Sequence, residues 1–354
     1  MKLSVEYISY QLQFAKPATT SRGVYSEKKV WYVLFRDLQN PGVFGIGECA
    51  PLKDLSIEAG ADFEKHLAFF CQEINAGTNM QDLDLKMFPS IAFGFETALL
   101  DLQHGGTRTL FDTDFVSGKE GIPINGLVWM DTQEAMLKQA EEKIKEGFKC
   151  IKFKIGALDF DEECRMLERI RKSYNAYQLE IRLDANGAFL ADTALEQLKE
   201  LSRFQLHSIE QPIKARQLDS MQELCAKSPV PIALDEELIG VFEADKLLKS
   251  IRPTYIILKP TLIGGIRASE YWRKSAENFN IGWWITSALE SNVGLNAIAQ
   301  YASSLRLTIP QGLGTGLLYT NNIPSPLSME SGYLYYNKEK KWKLGYLDST
   351  LNEG

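Results

Sequence analysis

Residues 149–156, "KCIKFKIG", place two lysines two positions apart in an apolar run. Side chains alternate between the faces of a β-strand, so Lys152 and Lys154 point to one face while Ile151, Phe153 and Ile155 point to the other. Taken alone, this pattern is typical of a half-exposed strand with its lysines in water, because lysine is rarely buried without a partner. The residues that follow favour a different interpretation.

Several apolar strands after this one also end in a polar residue, at regular spacing. The steps are 30, 26, 25, 24 and 28 residues, between Lys154, Asp184, Glu210, Asp235, Lys259 and Ser287. Amphipathic segments such as "TQEAMLKQAEEKIKEG" (132–147) separate the strands. One strand and one helix per step predict a TIM-type (β/α) barrel, with "GIPINGLV" (121–128) as its first strand and "LTIPQGLG" (307–314) as its eighth. An open doubly wound sheet also alternates, but it would not align one functional residue per strand.

The segments on either side of the barrel differ from this repeat. Residues 1–118 predict an α+β capping domain, with an antiparallel meander of strands at 3–14, 29–37 and 43–49 and helices at about 57–75 and 90–104. The barrel is expected over residues 119–325. Residues 326–354 are expected to form a C-terminal tail with a hairpin that returns to the capping domain.

Composition excludes several classes of protein. The net charge of -7 on 354 residues comes from interspersed acids and bases, which argues against nucleic-acid and membrane partners. No 18-residue apolar run and no apolar signal segment occur, so a cytoplasmic location is expected. Five cysteines without a CxxC pair argue against a disulfide framework or a structural zinc site. None of the three histidines lies at a late strand end, which disfavours histidine as a base.

The carboxyl ends of barrel strands converge at one mouth, where the chemistry of such barrels is found. Asp184, Glu210 and Asp235 end three successive strands, so their side chains are expected about 5 Å apart. At an effective dielectric constant of about 20, two unit charges 4 Å apart repel by about 4 kcal/mol, so this trio needs protons or a cation. Each acid alone would more often be a helix cap or a loop ion pair. Together, three hard oxygen ligands predict one Mg²⁺ ion.

The lysines flank this predicted metal site. Lys152 and Lys154 lie one strand before it, and Lys259 lies one strand after it. A neighbouring positive charge lowers the pKa of a lysine, so one of them can act as a base toward a carbon acid next to a bound carboxylate. A metal-free aldolase with a Schiff-base lysine and a non-catalytic binding barrel are the alternatives from other classes. The segment "GLGTG" (312–316) lacks the spacing of a phosphate loop, although its backbone N–H groups are candidates for binding a substrate carboxylate.

This constellation resembles the enolase superfamily over nearly the whole chain, from "GIGECAPL" (45–52) through the barrel. The KxK pair on the second strand, three acids on the next three strands and a lysine on the sixth are similar to the muconate lactonising enzyme subgroup. By this resemblance Asp184, Glu210 and Asp235 bind Mg²⁺, Lys154 is the acid and base, Lys152 tunes it, and Lys259 stands across the substrate. Asn186 and Glu236, just beyond two of the ligands, are expected to support them.

Within the subgroup, "LKPTLIGG" (258–265) and "TSALESNVGL" (286–295) are most similar to the o-succinylbenzoate synthase family. The resemblance implies syn dehydration of a small carboxylate, 2-succinyl-6-hydroxy-2,4-cyclohexadiene-1-carboxylate, to 2-succinylbenzoate in menaquinone biosynthesis, with Lys259 as a stabilising cation. The loops "TTSRGVY" (19–25) and "CAPLKDLS" (49–56) are expected to close over the barrel mouth. The substrate-binding residues that the resemblance implies are Arg182, Ser287, Gly312, Gly314 and Arg22.

Related reactions of the same subgroup use both lysines as bases. No Asp-x-Asp follows the eighth strand, which counts against the dipeptide epimerases, because these use such a pair to hold a substrate amino group. Racemisation of N-acylamino acids, such as N-succinylamino acids, stays open as the alternative, and cycloisomerisation of muconate is less favoured by the Ser287 segment. The sequence does not indicate the oligomeric state.

Overall fold

The N-terminal region of the computed structural model is a three-stranded antiparallel sheet covered by two helices. Residues 2–20 and 23–345 are described, without the side chains of Thr20 and Pro41. The strands are β1 (Leu3–Thr20), β2 (Gly23–Asp37) and β3 (Asn40–Cys49), and the helices are α1 (Phe63–Asn75) and α2 (Pro89–Gln103). The predicted meander is confirmed. The first two strands are longer than predicted because residues 18–20 of β1 still pair with residues 23–25 of β2 after a bulge.

Close contact between β3 and α2 fixes this domain. A Cβ atom on Gly47 would lie 1.9 Å from the carbonyl oxygen of Gly94, so the backbone of the strand touches the backbone of the helix. Val33, Phe35 and Phe95 belong to the apolar cluster of this domain and are fully buried. Glycine at this contact therefore sets how deeply the helix packs onto the sheet.

The rest of the chain alternates strands and helices as the spacing predicted. In chain order these elements are β4 (Ile122–Pro123), β5 (Gly126–Val128), α3 (Gln133–Lys145), β6 (Cys150–Lys154), α4 (Phe160–Ser173), β7 (Glu180–Asp184), α5 (Ala194–Leu201), β8 (Ser208–Glu210), α6 (Leu218–Lys227), β9 (Ile232–Leu234), α7 (Ala244–Ile251), β10 (Tyr255–Leu258), α8 (Pro260–Ile263), α9 (Gly265–Asn278), β11 (Gly282–Ile285), α10 (Asn292–Ser304), β12 (Leu327–Glu330) and β13 (Tyr333–Tyr336). Strands β5 to β11 form one parallel sheet in sequential order.

The sheet closes through the segment predicted as the eighth strand. Gln311 bridges to Ile124 beside β5, and Gly312 bridges to Thr286 beside β11, both in parallel orientation. The Gly312 N–H donates to the Ile285 carbonyl over 2.8 Å. The modified barrel is therefore confirmed, but its eighth position is a pair of bridging residues and not a full strand.

The barrel strands are buried on both faces. All five residues of β6 are buried, with Ile151 and Phe153 packed in the core and Lys152 and Lys154 on the opposite face. The interpretation of this strand as half-exposed is therefore wrong, since the face that carries the lysines is inside the barrel mouth. Among the described residues, no helix is both long and apolar enough to cross a membrane.

Contacts between regions far apart in the sequence hold the two parts of the fold together. The buried carboxylate of Glu48 on β3 accepts hydrogen bonds from the backbone N–H groups of Ser291 and Gly294 at the start of α10, both over 2.8 Å. Glu96 on α2 accepts from the N–H of Ile266 in the first turn of α9, over 2.6 Å. Anionic side chains at helix N-termini satisfy donors that the helix cannot satisfy itself.

The C-terminal tail first joins the barrel and then reaches the N-terminal sheet. Strand β13 pairs with both β12 and β4. Beyond this hairpin, Trp342 and Leu344 pack in an apolar cluster with Leu12 and Tyr32 of the sheet. This course agrees with a tail that returns to the capping domain, while the division at residues 118 and 325 stays a prediction.

Candidate active site

Three acids and three lysines meet at the carboxyl ends of successive barrel strands. Lys154 on β6 lies in register with Asp184 on β7, which lies in register with Glu210 on β8. Asp235 directly follows β9, and Lys259 directly follows β10. The six side chains are buried and converge: Lys152, Lys154, Asp184, Glu210, Asp235 and Lys259.

Ion pairs link the lysines to the acids. The Lys152 Nζ lies 3.1 Å from Asp184 Oδ2 and 2.8 Å from Glu210 Oε2. The Lys154 Nζ lies 2.6 Å from the same Asp184 oxygen. The Lys259 Nζ pairs with Asp235 Oδ2 and lies 3.6 Å from Glu210 Oε1. Three lysines and three acids therefore pair with one another in a buried cluster.

The three lysines differ in how their surroundings affect their pKa values. Burial lowers the pKa of Lys154, and the charges of Lys152 and Lys259 add to this, so that together they outweigh the effect of Asp184. Burial also acts to lower the pKa of Lys152 and of Lys259, but the neighbouring carboxylates outweigh it and raise both values. The predicted lowering is thus found at Lys154, with burial as its largest cause.

The pKa values of the three acids differ because each carboxylate is buried beside the others and beside lysines. Burial, with the charges of Asp184 and Asp235, raises the pKa of Glu210 to about 8. Burial acts to raise the pKa of Asp184 and of Asp235, but the lysines outweigh it and lower both. The Oε1 atom of Glu210 is buried and accepts no hydrogen bond from any described residue. The Lys259 Nζ, 3.6 Å away, is the nearby charge, and an acceptor without a hydrogen bond can still take a further ligand.

The acids fit a hard divalent cation by their chemistry. As the side chains stand, no group of three or more His, Cys, Asp or Glu side chains within residues 2–20 and 23–345 is arranged to hold a metal ion. In this arrangement the carboxylate oxygens form ion pairs with the lysine ammonium groups. Nevertheless, Asp184, Glu210 and Asp235 offer only oxygen ligands, and one of these oxygens lacks a hydrogen-bond partner, which suits Mg²⁺.

The two residues predicted to support the ligands lie beside the acids. The Asn186 Oδ1 accepts a hydrogen bond from the Lys154 Nζ over 2.8 Å, and its Nδ2 donates to Glu236 Oε1 over 2.9 Å. The Asn186 N–H also donates to Asp184 Oδ1 over 3.1 Å. Asn186 therefore holds both a predicted metal ligand and the predicted acid and base.

A cavity of about 720 Å³, including the part that opens to solvent, lies above this cluster. Lys152, Lys154 and Lys259 form its floor. Of the two segments predicted to cover the mouth, residues 19–25 contribute Tyr25 to the cavity wall, and residues 49–56 contribute Leu52 and Leu55. The remaining lining residues are Asn125, Leu127, Trp129, Leu262, Thr286, Ser287, Ala288, Leu289, Gly312, Gly314 and Thr315.

The predicted substrate-binding residues fall into three groups. Ser287, Gly312 and Gly314 line the cavity. The hydroxyl of Ser287 donates to Glu290, and the N–H of Gly312 is used to close the barrel. Gly312 provides space, because a Cβ atom there would lie 2.4 Å from Thr286 Oγ1. The backbone N–H of Gly312 is thus not a donor to substrate, contrary to expectation.

Arg182 and Arg22 do not contribute to the described cavity. Arg182 shares a face with Asp184 but lies one layer deeper, where its guanidinium packs on Trp284 and donates to Glu180 and to the Pro310 carbonyl. Arg182 is 1 % exposed, so the prediction of a direct substrate contact is corrected to a role in filling the barrel interior. Arg22 lies outside the described residues.

Sequence reasoning missed several lining residues. Trp129 and Asn125 flank the first barrel strand and face the cavity. Their position at the first barrel strand was an available signal, but the aromatic Trp129 does not fit the pattern of polar residues at strand ends. Thr286 has a buried hydroxyl without a hydrogen-bond partner among the described residues, a feature that only the structure shows.

Comparisons with known proteins agree with this geometry. The family model described as "Enolase C-terminal domain-like" matches residues 135–339, and that described as "MenC, N-terminal domain" matches residues 5–102. An o-succinylbenzoate synthase of Desulfotalea psychrophila is 43% identical, across 94% of this chain and 98% of that protein. The crystal structure of MenC from the same organism superimposes with a TM-score of 0.85 and 40% identity, covering 95% of this chain and 100% of that one.

More distant structures share the fold. A dipeptide epimerase from Enterococcus faecalis, solved in complex with Mg and the dipeptide L-Leu-L-Tyr, superimposes with a TM-score of 0.82. It is 21% identical, and the match covers 96% of this chain and 98% of that one. The epimerases are therefore more remote than the synthase. On these findings the chain is an enzyme that belongs to the enolase superfamily and, within it, to the o-succinylbenzoate synthase family.

Proposed function

We propose that the enzyme catalyses the Mg²⁺-dependent syn dehydration of 2-succinyl-6-hydroxy-2,4-cyclohexadiene-1-carboxylate to 2-succinylbenzoate, with Lys154 as the only proton carrier. Lys154 and Lys259 reach one cavity from opposite sides of the three acids, which is the arrangement that a base and a cation facing it require. The 43% identity to an o-succinylbenzoate synthase over nearly the whole chain supports the substrate. A cytoplasmic location stays a prediction.

Lys154 has the contacts required of an acid and base. Its neutral amine takes the proton from the ring carbon that bears the carboxylate, and the resulting ammonium donates that proton to the hydroxyl that leaves as water from the same face. The ring gains the double bond that makes it aromatic. Asn186 holds the Lys154 Nζ in place through the 2.8 Å hydrogen bond.

The groups around Lys154 stabilise the charge that develops. Asp184, Glu210 and Asp235 would hold Mg²⁺, which supplies Lewis-acid stabilisation of the negative charge on the substrate carboxylate. Lys259 stays protonated on the opposite side and attracts the same charge. Lys152 forms ion pairs with both Asp184 and Glu210, and its positive charge offsets the repulsion between these two acids.

Racemisation of N-succinylamino acids is a second candidate, because two lysines on opposite sides of a cavity also suit a two-base reaction. The lining supports this over dipeptide epimerisation. Among the described lining residues none is Asp or Glu, so none offers a carboxylate to a free amino group of a substrate. An acylated amine needs no such partner.

The test is to follow formation of the aromatic product by the purified enzyme with Mg²⁺. Replacing Lys154 by alanine should lower the rate by about 10³-fold or more, because positioned acid or base groups contribute about 10² to 10⁴ and Lys154 serves two steps. Lys149→Ala is the matched control, since Lys149 lies just before the same strand and is exposed. If Lys154→Ala keeps a tenth of the activity, Lys154 is not the proton carrier.

Lys259→Arg separates the two candidate reactions. Arginine keeps the positive charge but does not give up its proton at neutral pH, so dehydration should fall far less than with Lys259→Ala. Racemisation of N-succinylamino acids, followed by loss of optical rotation from a single enantiomer, should be lost, because protonation from the Lys259 side is no longer available. Equal losses of dehydration in both Lys259 variants would show that Lys259 does not act as a cation.

A further inference from the structure

A buried lysine outside the catalytic cluster joins the capping domain to the cavity wall. Lys28 on β2 is 6 % exposed. Its Nζ donates to the backbone carbonyls of Ala288 over 2.8 Å and of Leu289 over 3.0 Å. Burying a charged group costs free energy unless its contacts compensate for the lost water, so the contacts of the Lys28 Nζ are important. Both of these partners lie in the loop after β11 that lines the substrate cavity.

The loop that Lys28 holds has an unfavourable backbone conformation. Leu289 has a φ of +64°, in the left-handed region that residues other than glycine rarely adopt. Its carbonyl accepts a second hydrogen bond from the hydroxyl of Tyr319 over 2.6 Å. Strained residues persist only where their surroundings hold them. Lys28 and Tyr319 therefore fix the two peptide groups that set the direction of the Leu289 side chain.

The direction of this side chain shapes the cavity. Ala288 and Leu289 form an apolar cluster with Leu52 and Leu55, which lie in the segment 49–56, and with Leu262 after β10. All five residues line the cavity. If the loop relaxed to an ordinary conformation, Leu289 would leave this wall, and the apolar surface offered to a substrate would change.

We propose that Lys28 is a positioning residue for substrate binding: it holds the Ala288–Leu289 turn so that Leu289 completes the cavity wall. The effect on catalysis rests on the proposed function, since it concerns binding of the dehydration substrate. Lys28 touches neither the acids nor the catalytic lysines, so it acts on binding and leaves the proton transfers unchanged.

The experiment compares Lys28→Met with Lys29→Met under steady-state conditions. Lys29 is the next residue of the same strand, is about half exposed and pairs with Glu64 at the surface, so the same substitution there is a matched control. Lys28→Met should raise KM by about 10- to 100-fold with kcat within about threefold, because hydrogen bonds from a charged donor are lost and uniform binding is weakened. Lys29→Met should change neither value.

A double variant tests whether Lys28 acts through Leu289. Glycine adopts the left-handed conformation without strain, so Lys28→Met should raise KM much less in a Leu289→Gly background than in the wild type. Equal effects in both backgrounds, an unchanged KM, or a fall in kcat alone would overturn the proposal. Should Lys28→Met not fold, Tyr319→Phe removes the other donor to the Leu289 carbonyl, and an unchanged KM there would overturn it.

Hydrogen exchange of the loop amides distinguishes failure of this proposal from failure of the proposed function. In Lys28→Met, and not in Lys29→Met, residues 287–292 should exchange faster while strands β6 and β7 keep their protection. This measurement needs no substrate. If wild-type enzyme does not dehydrate the cyclohexadiene but the loop still loosens, the proposed function fails and the holding role of Lys28 stands. Unchanged exchange of the loop refutes the role itself.

Discussion

Replacing Glu163 by glutamine should stabilise the enzyme at alkaline pH and have little effect at acidic pH. Glu163 on α4 is 2 % exposed, and its Oε1 accepts hydrogen bonds from the N–H groups of Gly156 over 2.6 Å and Leu158 over 3.4 Å. These residues form the loop directly after Lys154. The carboxyl group therefore ties a helix to the loop that follows the catalytic strand, inside a poorly solvated space.

The magnitude follows from the pKa of Glu163. Burial raises this pKa from 4.5 to about 7, against the opposing effect of the backbone N–H groups. Because the folded-state pKa lies above that of the unfolded chain, the stabilising effect of the neutral acid is fully present below pH 4.5 and is lost as the pH rises through about 7. At about 1.4 kcal/mol per pH unit, the ionised group costs the wild type about 3 kcal/mol above pH 8.

Glutamine keeps the accepting oxygen and never ionises, so Glu163→Gln avoids this cost. For a chain of 354 residues, about 3 kcal/mol corresponds to a rise in Tm of roughly 4 °C. The assay is thermal unfolding of both proteins from pH 5 to pH 8.5. Glu162→Gln is the control, because Glu162 is half-exposed and only loosely paired with Arg165 at 3.9 Å. A Tm difference that does not grow with pH, or that reverses sign, would refute the reasoning.

Two further predictions concern packing and the metal. Gly47→Ala should lower the free energy of unfolding by about 1–3 kcal/mol in urea denaturation, because its Cβ would lie 1.9 Å from the Gly94 carbonyl oxygen. Gly60→Ala, with open space around its Cβ, should change it by less than about 0.5 kcal/mol; equal effects would contradict the close packing of α2 on β3. Chelation of Mg²⁺ should abolish turnover, and Asp184→Asn should weaken Mg²⁺ binding at least about tenfold in calorimetric titration. Unchanged affinity would remove Asp184 from the ligand set.

The sequence predicts the barrel and its charged mouth well because both depend on local periodicity. The polar residues that end the apolar runs, such as Asp184 and Glu210, mark the strand ends, and neighbouring parallel strands bring consecutive ends together. The same alternation that placed Asp184 correctly led to the error at Arg182. Period two assigns a side chain to a face of the strand, but it does not tell how deep in the barrel that face lies.

Contacts between distant parts of the chain escaped prediction. Lys28 looks like one more polar residue of an alternating strand, and only its position against Ala288 reveals why it is buried. The reduction of the eighth strand to Gln311 and Gly312 is also tertiary in origin, since "LTIPQGLG" has the pattern of the other strands. Local patterns carry no information on a partner 260 residues away.

The hydrogen bonds of Glu48 to Ser291 and Gly294 have a consequence for the order of events during synthesis. The acid leaves the ribosome 243 residues before Ser291, which corresponds to roughly 12 to 50 s at typical rates of elongation. During that time the carboxylate of Glu48 lacks its hydrogen bonds to Ser291 and Gly294, and the ammonium of Lys28 lacks its backbone acceptors after β11. We therefore expect this edge of the N-terminal sheet to stay hydrated until α10 is made, so that the two regions complete their folding together although one is synthesised long before the other.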